Sequence, residues 1–191
     1  MFKSIGADLL GTSDNCAIIP RDKFLSEDSI NFYCLNDEVP FIYLKSKIFE
    51  YIFTDQALIT IERDNAAGVK QSIGRWDWQT YHLSNVLFVT PGAGMTDYSC
   101  SIKFYLSDQS FEIDIVKSEM PTARIYYAVL LKLSREMKQM KHRLSRAESI
   151  ANSNMVSDKN VGQIAIDASN QINDSFNPVS YKHVFEAALQ N

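Results

Sequence analysis

Histidine and cysteine side chains, which bind many protein-bound metals, are dispersed along this sequence. His82, His142 and His183 lie far apart, and no His-Glu-x-x-His motif or Cys/His cluster brings ligands to metal-binding spacing. The three cysteines are odd in number and lack Cys-x-x-Cys spacing, which argues against a disulfide framework and fits a reducing compartment. These residues therefore predict no metal site.

Acidic pairs and nucleophile motifs are the next indicators of catalysis. Glu112 and Asp114 alternate with Phe111, Ile113 and Ile115, so their carboxylates share one strand face, about 7 Å apart. The simpler interpretation is a solvated face opposite an apolar one. The sequence contains no Gly-x-Ser-x-Gly elbow, P-loop or Gly-x-Gly-x-x-Gly motif. We therefore predict no catalytic residue, no cofactor and no enzymatic activity.

Positive charge is concentrated in one stretch. Seven basic residues lie between Arg124 and Arg146, opposed only by Glu136, whereas residues 1–118 contain 10 Lys and Arg against 16 Asp and Glu. These cations could lie against an anionic membrane surface, face the acidic part of a neighbouring subunit, or remain solvated. The net charge of −4 disfavours nucleic acid as a partner. The candidate anion-binding residues are Lys132, Arg135, Lys138, Lys141 and Arg143.

The same stretch is predicted to be one long helix. Ser118 is a suitable N-cap, Pro121 is tolerated in a first turn, and neither glycine nor a further proline follows before Glu148. From Leu130 onward its apolar positions recur at alternating intervals of three and four residues. A helix that closes a small barrel needs only three or four apolar turns, so we expect the barrel not to reach the seam beyond Leu133.

Two short amphipathic helices are predicted after a polar linker at 149–160. They cover 161–172 and 181–189, and neither is long enough to be stable alone in water, so each must dock on its own chain or on another. Together with the seam, they predict homo-oligomerisation. The candidate interface residues are Met137, Met140, Leu144, Ile164, Tyr181, Val184, Phe185 and Leu189.

Seven strand-like segments precede the long helix. Short connections join them in meander order, and such strands bury their apolar face as a sandwich or a barrel. The lead-in before them is weakly patterned, with a short helix expected at 2–10 and a strand at 30–35. The predicted strands are 39–44, 48–54, 57–63, 69–76, 83–90, 98–106 and 111–116.

Three segments carry a resemblance to a known family. The stretch Lys-Ser-Lys-Ile-Phe-Glu-Tyr-Ile-Phe-Thr-Asp-Gln-Ala-Leu-Ile at 45–59 resembles the second and third strands of the bacterial PH domain family, and Arg-Trp-Asp-Trp at 75–78 with Leu-Ser-Asn-Val at 83–86 resembles its fourth and fifth. The resemblance implies a mainly β fold, a seven-stranded PH-like barrel capped by a long C-terminal helix, over roughly 10–135. The remainder resembles the YvbH-like oligomerisation region, which implies homo-oligomers. We therefore expect a PH-like domain at 1–135 and a helical oligomerisation region at 136–191.

These features predict a non-catalytic PH-like scaffold module that binds itself through its C-terminal helices. The alternative is a peripheral membrane adaptor that binds anionic lipid through the basic helix 124–146. Besides a second copy of the chain, another protein or an anionic membrane surface is a candidate partner. Specific phosphoinositide binding is disfavoured, because the first hairpin carries only Lys45 and Lys47 where a phosphorylated head group needs several convergent cations. Trp76 and Trp78 are expected on one side of their strand, either in the core or in a groove.

The sequence contains no run of about 18 apolar residues such as a membrane span requires. The apolar run at the N-terminus is short and interrupted by Asp8, which argues against a signal peptide. We therefore expect a cytoplasmic protein.

Overall fold

The computed structural model describes residues 14–64, 70–90, 92, 99–154 and 180–189. These residues form eight strands and three α-helices, with 3-10 helices at Arg21–Ser26 and Lys117–Glu119. The strands are β1 (Ala17–Ile18), β2 (Pro40–Lys45), β3 (Phe49–Thr54), β4 (Ala57–Arg63), β5 (Gln71–Asp77), β6 (Leu83–Val89), β7 (Ser99–Leu106) and β8 (Gln109–Val116). The helices are α1 (Asp28–Tyr33), α2 (Met120–Asn154) and α3 (Lys182–Leu189).

The described strands form two antiparallel sheets, in the orders β1-β2-β3-β4-β5 and β6-β7-β8. This corrects the expectation of a seven-stranded barrel, because no ladder joins β5 to β6 in the described chain. Just before the break, the main-chain N–H of Trp78 donates to Gln56, which extends the β4–β5 pairing by one residue, and its buried indole donates to the Thr54 carbonyl. The chain then leaves the first sheet through a turn at 78–80. On the opposite side, Cys16 forms a parallel bridge to Ile115 and links the sheets.

The inner faces of the sheets and one face of α2 form the main core. Alternate residues of the strands point inward, among them Phe53, Leu58 and Phe104, and helix residues such as Val129 and Leu133 close the assembly. The seven predicted strands are found to within two residues at each end, and β4 has the predicted bounds. The short strand β1 was not predicted, because two residues are too few to show a period.

A second core covers the outer face of the five-stranded sheet. Phe24 and Ile30, from the N-terminal 3-10 helix and α1, pack there against Tyr43, Ile52 and Ile59. The strand predicted at 30–35 is therefore wrong, since Asp28–Tyr33 is helical. The segment needs only one apolar stripe, which a short helix presents as well as a strand does. The helix predicted at 2–10 lies outside the described residues.

The long helix α2 extends further than predicted. Ser118 lies in the preceding 3-10 helix, and α2 continues through the first residues of the expected linker to Asn154. The expected domain boundary between 135 and 136 falls inside this continuous helix. Leu130, Leu133 and Met137 of its apolar seam are buried.

A buried ion network fastens the N-terminal segment to the sheet. Glu50, which is 0% exposed, accepts a hydrogen bond from the Tyr43 hydroxyl at 2.5 Å and lies 2.5 Å from the Arg63 guanidinium. Lys45 lies 2.6 Å from Glu27, just before α1. Burial by itself raises the pKa of Glu50, but hydrogen bonds from Ser29, Tyr43 and Arg63, with the charge of Lys45, together outweigh it and hold that pKa below its ordinary value.

We predict that Glu50→Gln destabilises the protein by about 3 kcal/mol at pH 7, because it leaves Arg63 without its buried partner. Because the pKa of Glu50 is lower in the folded protein than its unfolded value of 4.5, the ionised carboxylate stabilises the fold above that pH. This stabilisation is lost as the pH falls below 4.5. Urea unfolding should therefore show a gap between wild type and variant that narrows below about pH 4.5. Glu112→Gln, which removes a half-exposed ion pair with Lys103, should cost less than about 1 kcal/mol. An equal effect of both variants would contradict the network.

Candidate binding surfaces

The turn between β3 and β4 holds the last helix against the sheet. The Asp55 carboxylate accepts hydrogen bonds from the Val39 main-chain N–H at 2.8 Å and from the Ser180 hydroxyl at 2.5 Å. The Asp55 carbonyl accepts from the Tyr181 N–H at 2.7 Å. Asp55 thus joins the start of β2 to the start of α3, two segments that are remote in sequence.

Helix α3 completes the main core. The Phe185 ring stacks on Phe41 with 4.9 Å between centroids, and the Arg21 guanidinium lies 4.9 Å from the Phe41 ring centre. Tyr181 and Phe185 are both fully covered. Because α3 also packs on α2, its apolar face is satisfied within one chain.

The predicted interface residues therefore fall into three groups. Met137, Tyr181, Val184 and Phe185 are buried in the core of the chain itself. Met140, Leu144 and Leu189 are partly covered, and Ile164 lies outside the described residues. The expectation that the barrel cannot reach the seam is wrong for Met137, which is 2% exposed and whose sulfur accepts a hydrogen bond from the Leu83 N–H at 3.4 Å.

We predict that Phe185→Ala destabilises the protein by about 3 kcal/mol, because it opens a cavity against Phe41. Urea unfolding measures the loss. The control is Lys182→Ala on the exposed side of α3, which should change stability by less than about 0.5 kcal/mol. If Phe185→Ala and the wild type unfold with the same urea midpoint, α3 does not dock as described.

The solvent side of α2 carries a row of cations. Arg124, Lys132, Arg135, Arg143 and Arg146 are exposed and recur at intervals of eight and three residues, which keeps them on one side of the helix. We call these five residues the basic face. None of them forms an ion pair with another residue in the described part of the chain.

The predicted anion-binding set is thus only partly brought together. Lys132, Arg135 and Arg143 belong to the basic face, whereas Lys138 and Lys141 are exposed but lie between that face and the apolar seam. Lys141 lies close enough to His82 to contribute to its protonation equilibrium. Burial, and then the charge of Lys141, lower the pKa of His82.

Both tryptophans belong to the main core, although only Trp78 is fully buried. Trp76 is partly exposed and packs edge-on against Tyr81 and Phe111. Its indole N–H is buried and has no hydrogen-bond partner among the residues that the structure describes. A Cβ at Gly74 would lie 3.2 Å from that nitrogen and 2.6 Å from the Thr60 hydroxyl oxygen, so a larger residue there would displace the Thr60 side chain.

A groove of about 440 Å³ opens beside Gly74, between β3–β5 and the first half of β8. Its walls include the aromatic rings of Phe49, Tyr51 and Phe111 and the carboxylate of Glu62. Burial, followed by charge from Cys16 and carboxylates including Glu62, raises the pKa of Tyr51 well above its ordinary value. The groove is therefore lined by aromatic rings and by the carboxylate side chains Glu62 and Glu112.

Sequence reasoning missed the groove because its residues come from four strands. The one local signal is Gly74, since a glycine inside a strand pattern often indicates a close approach of neighbouring atoms. The Asp55 junction was equally hidden, because its partners are up to 125 residues away.

Comparison with known proteins identifies the fold and the family. The sequence model described as "Bacterial PH domain" matches residues 10–134, which is more than half of the chain. The chain belongs to the bacterial PH domain family. It is also 33% identical over 135 residues to "Uncharacterized protein YvbH" of Bacillus subtilis (strain 168), covering 70% of this chain and 65% of that protein's length.

A solved structure supports the same fold. A PH-domain-containing bacterial protein from Exiguobacterium sibiricum 255-15 superimposes with a TM-score of 0.81 at 23% identity, covering 92% of this chain and 100% of the other. The described architecture is accordingly a PH-like fold, mainly β with a long helix after the last strand. The resemblance found in the sequence at 45–59 and 75–86 is confirmed at the level of the family.

The first hairpin of this bacterial PH domain is occupied by a carboxylate of its own chain. The Asp14 carboxylate accepts hydrogen bonds from the Lys47 and Ile48 main-chain N–H groups at 3.0 and 3.1 Å and from the Ser46 hydroxyl at 2.6 Å. Lys45 is engaged with Glu27. Among these hairpin donors, the Lys47 and Ile48 amides, the Ser46 hydroxyl and Lys45 are therefore already engaged within the chain, whereas the Lys47 side chain is exposed.

The described residues lack the features of a metal site and of a membrane-spanning helix. They contain no group of three or more His, Cys, Asp or Glu side chains arranged to hold a metal ion. Among the same residues, no helix combines the length and the apolar character that a membrane crossing demands.

Proposed function

We propose that this protein is a non-catalytic PH-like binding module that self-associates through the distal segment of α2, residues 138–154. The supporting observation is the length of α2 beyond its core contacts. Met137 is the last of its described side chains that is fully buried, yet the helix continues for 17 residues to Asn154, about 25 Å at 1.5 Å per residue. A helix projecting this far gains stability when a partner covers its apolar side.

The distal segment has the pattern of a helix-pairing seam. Met140 and Leu144 continue the three-and-four spacing of Leu133 and Met137, and both are only partly covered. The flanking cations Lys138 and Lys141 would repel an identical helix beside them. The sheets supply the opposite charge, because residues 1–118 hold six more acidic than basic residues. We infer that the helix of one copy lies against both the seam and the acidic sheets of another.

The interface proposed here is smaller than the set predicted from the sequence. Tyr181, Val184, Phe185 and Met137 serve the core of their own chain. Met140, Leu144 and Leu189 remain as interface candidates. Self-association would then present several copies of the PH-like core together, so that weak binding by each copy adds up through valency.

We predict that wild type forms a defined oligomer by light scattering and that the double variant Met140→Glu/Leu144→Glu is a folded monomer. Two buried carboxylates in an apolar seam would oppose pairing strongly. The control is Leu87→Glu, which places the same charge on an exposed apolar residue of β6 and should leave the oligomer intact. A monomeric wild type, or an oligomeric double variant, would refute the proposal.

A second candidate function is supported by the basic face. Its five exposed cations have no described counter-ions, and a row of this kind can lie on an anionic membrane surface. Under this candidate function the protein would be a peripheral membrane adaptor. The apolar seam points away from the basic face, so binding would be electrostatic and would weaken with salt.

We predict for this candidate that the protein sediments with phosphatidylserine vesicles and not with phosphatidylcholine vesicles. Neutralising Arg135, Arg143 and Arg146 to Gln should lower the partition about a hundredfold, at about 1 kcal/mol per cation. The matched control neutralises Lys23, Lys47 and Lys117, which are exposed elsewhere. Equal loss in both triple variants, or no vesicle binding by wild type, would exclude the basic face as a membrane site.

A further inference from the structure

The groove is bordered by two open strand edges. Among the described strands β5 pairs only with β4, so no described strand pairs with its other main-chain edge. The β8 edge is closed by Cys16 only near its end, where Cys16 bonds to Asp114 and Val116. The first half of β8, at 109–112, lines the groove opposite β5 residues 72–74. Main-chain donors and acceptors therefore border a cleft of ligand size.

The β5 edge lacks the usual protection against strand addition. Natural edge strands carry charges, prolines or bulges at such positions. The groove-lining part of β5 is Ser72-Ile73-Gly74, which has neither charge nor proline, and its ladder with β4 runs without a register shift. Ile73 is 49% exposed there. By contrast, the other open edge strand, β6, contains a register shift between Ser84 and Leu87, with Asn85 at a φ of 50°.

The walls of the groove carry carboxylates and no described cation. No lysine or arginine is among the described residues that line it, and Glu62 has no described ion-pair partner. The second wall carboxylate, Glu112, is paired with Lys103 at 2.7 Å. Aromatic faces beside a free carboxylate suit a lysine or arginine side chain, which gains cation–π and Coulomb attraction together.

We propose that this groove binds an extended segment of another polypeptide, added as a strand along the open edge of β5, with a lysine or arginine of that segment directed at Glu62. The main-chain hydrogen bonds supply affinity and the aromatic, acidic walls supply selectivity. The site uses no residue of α2 or α3. It is therefore distinct from the seam residues Met140 and Leu144 that the proposed self-association uses.

The probe is a short, end-capped, fluorescently labelled peptide that alternates lysine with valine, measured by fluorescence anisotropy against the full chain. We expect saturable binding, and a Kd at least about tenfold weaker for Ile73→Lys, because a charge on the edge strand opposes both strand addition and the cationic peptide. The matched control is Leu87→Lys, which makes the same change at a 58% exposed residue of the β6 edge and should leave the Kd unchanged. Circular dichroism confirms that both variants fold.

The charge selectivity has its own pair of variants. Glu62→Gln should weaken the lysine peptide about threefold to fivefold, as expected for an exposed ion pair. Asp22→Asn removes the same charge from an exposed acid on the N-terminal 3-10 helix and should have no effect. A peptide with glutamate in place of lysine should bind at least about tenfold more weakly than the lysine peptide.

Three results would overturn the proposal. One is the absence of saturable binding at millimolar peptide. Another is equal binding of a peptide N-methylated at alternate amides, because such a peptide cannot add as a strand. The third is equal competition by lysine amide, which would make the groove a small-amine site. The same titration on Met140→Glu/Leu144→Glu separates this site from self-association, since peptide binding should persist there whether or not wild type is an oligomer.

Discussion

The turn between β3 and β4 is the junction on which the remaining structure depends. Asp55 bonds through its carboxylate to the start of β2 and to Ser180, and through its carbonyl to Tyr181. The carbonyl of the preceding residue, Thr54, accepts a hydrogen bond from the buried indole N–H of Trp78, at the point where the chain leaves the first sheet. Four segments therefore meet at two consecutive residues. Leaving any of these polar groups unpaired would cost free energy of folding. We therefore expect that disrupting one of these hydrogen bonds weakens the others.

The predictable parts of the fold are those with a local period. Strand β4 could be placed residue by residue because Leu58 and Ile59 fill cores on opposite faces and turn residues bound the run. The 3-10 helix and α1 could not, because six residues with one apolar side fit a helix or a strand equally well. Met137 was misassigned for another reason. Its cover comes from Leu83 and from α3, whose positions depend on long-range contacts that no local pattern records.

The candidate surfaces were predictable to different degrees. The basic face could be found from sequence because its cations keep helical spacing, although Lys138 and Lys141 then fall to one side of it. The groove could not be found, since it is made by Glu62 and Phe111 from different sheets and becomes visible only when the sheets are placed. A helix face is a local property of the chain, whereas a cleft is a property of topology.

The carboxylate of Asp14 in the first hairpin has a consequence for any anion that approaches that loop. The chain already supplies its own anion to the Lys47 and Ile48 amides, and it does so from a residue tethered a few positions before β1. A tethered group competes at an effective concentration on the order of millimolar or more. An incoming phosphate would therefore exchange one set of hydrogen bonds for another and gain only the difference. An anion can bind to these amides only by displacing the carboxylate of Asp14, which acts as an intramolecular competitor.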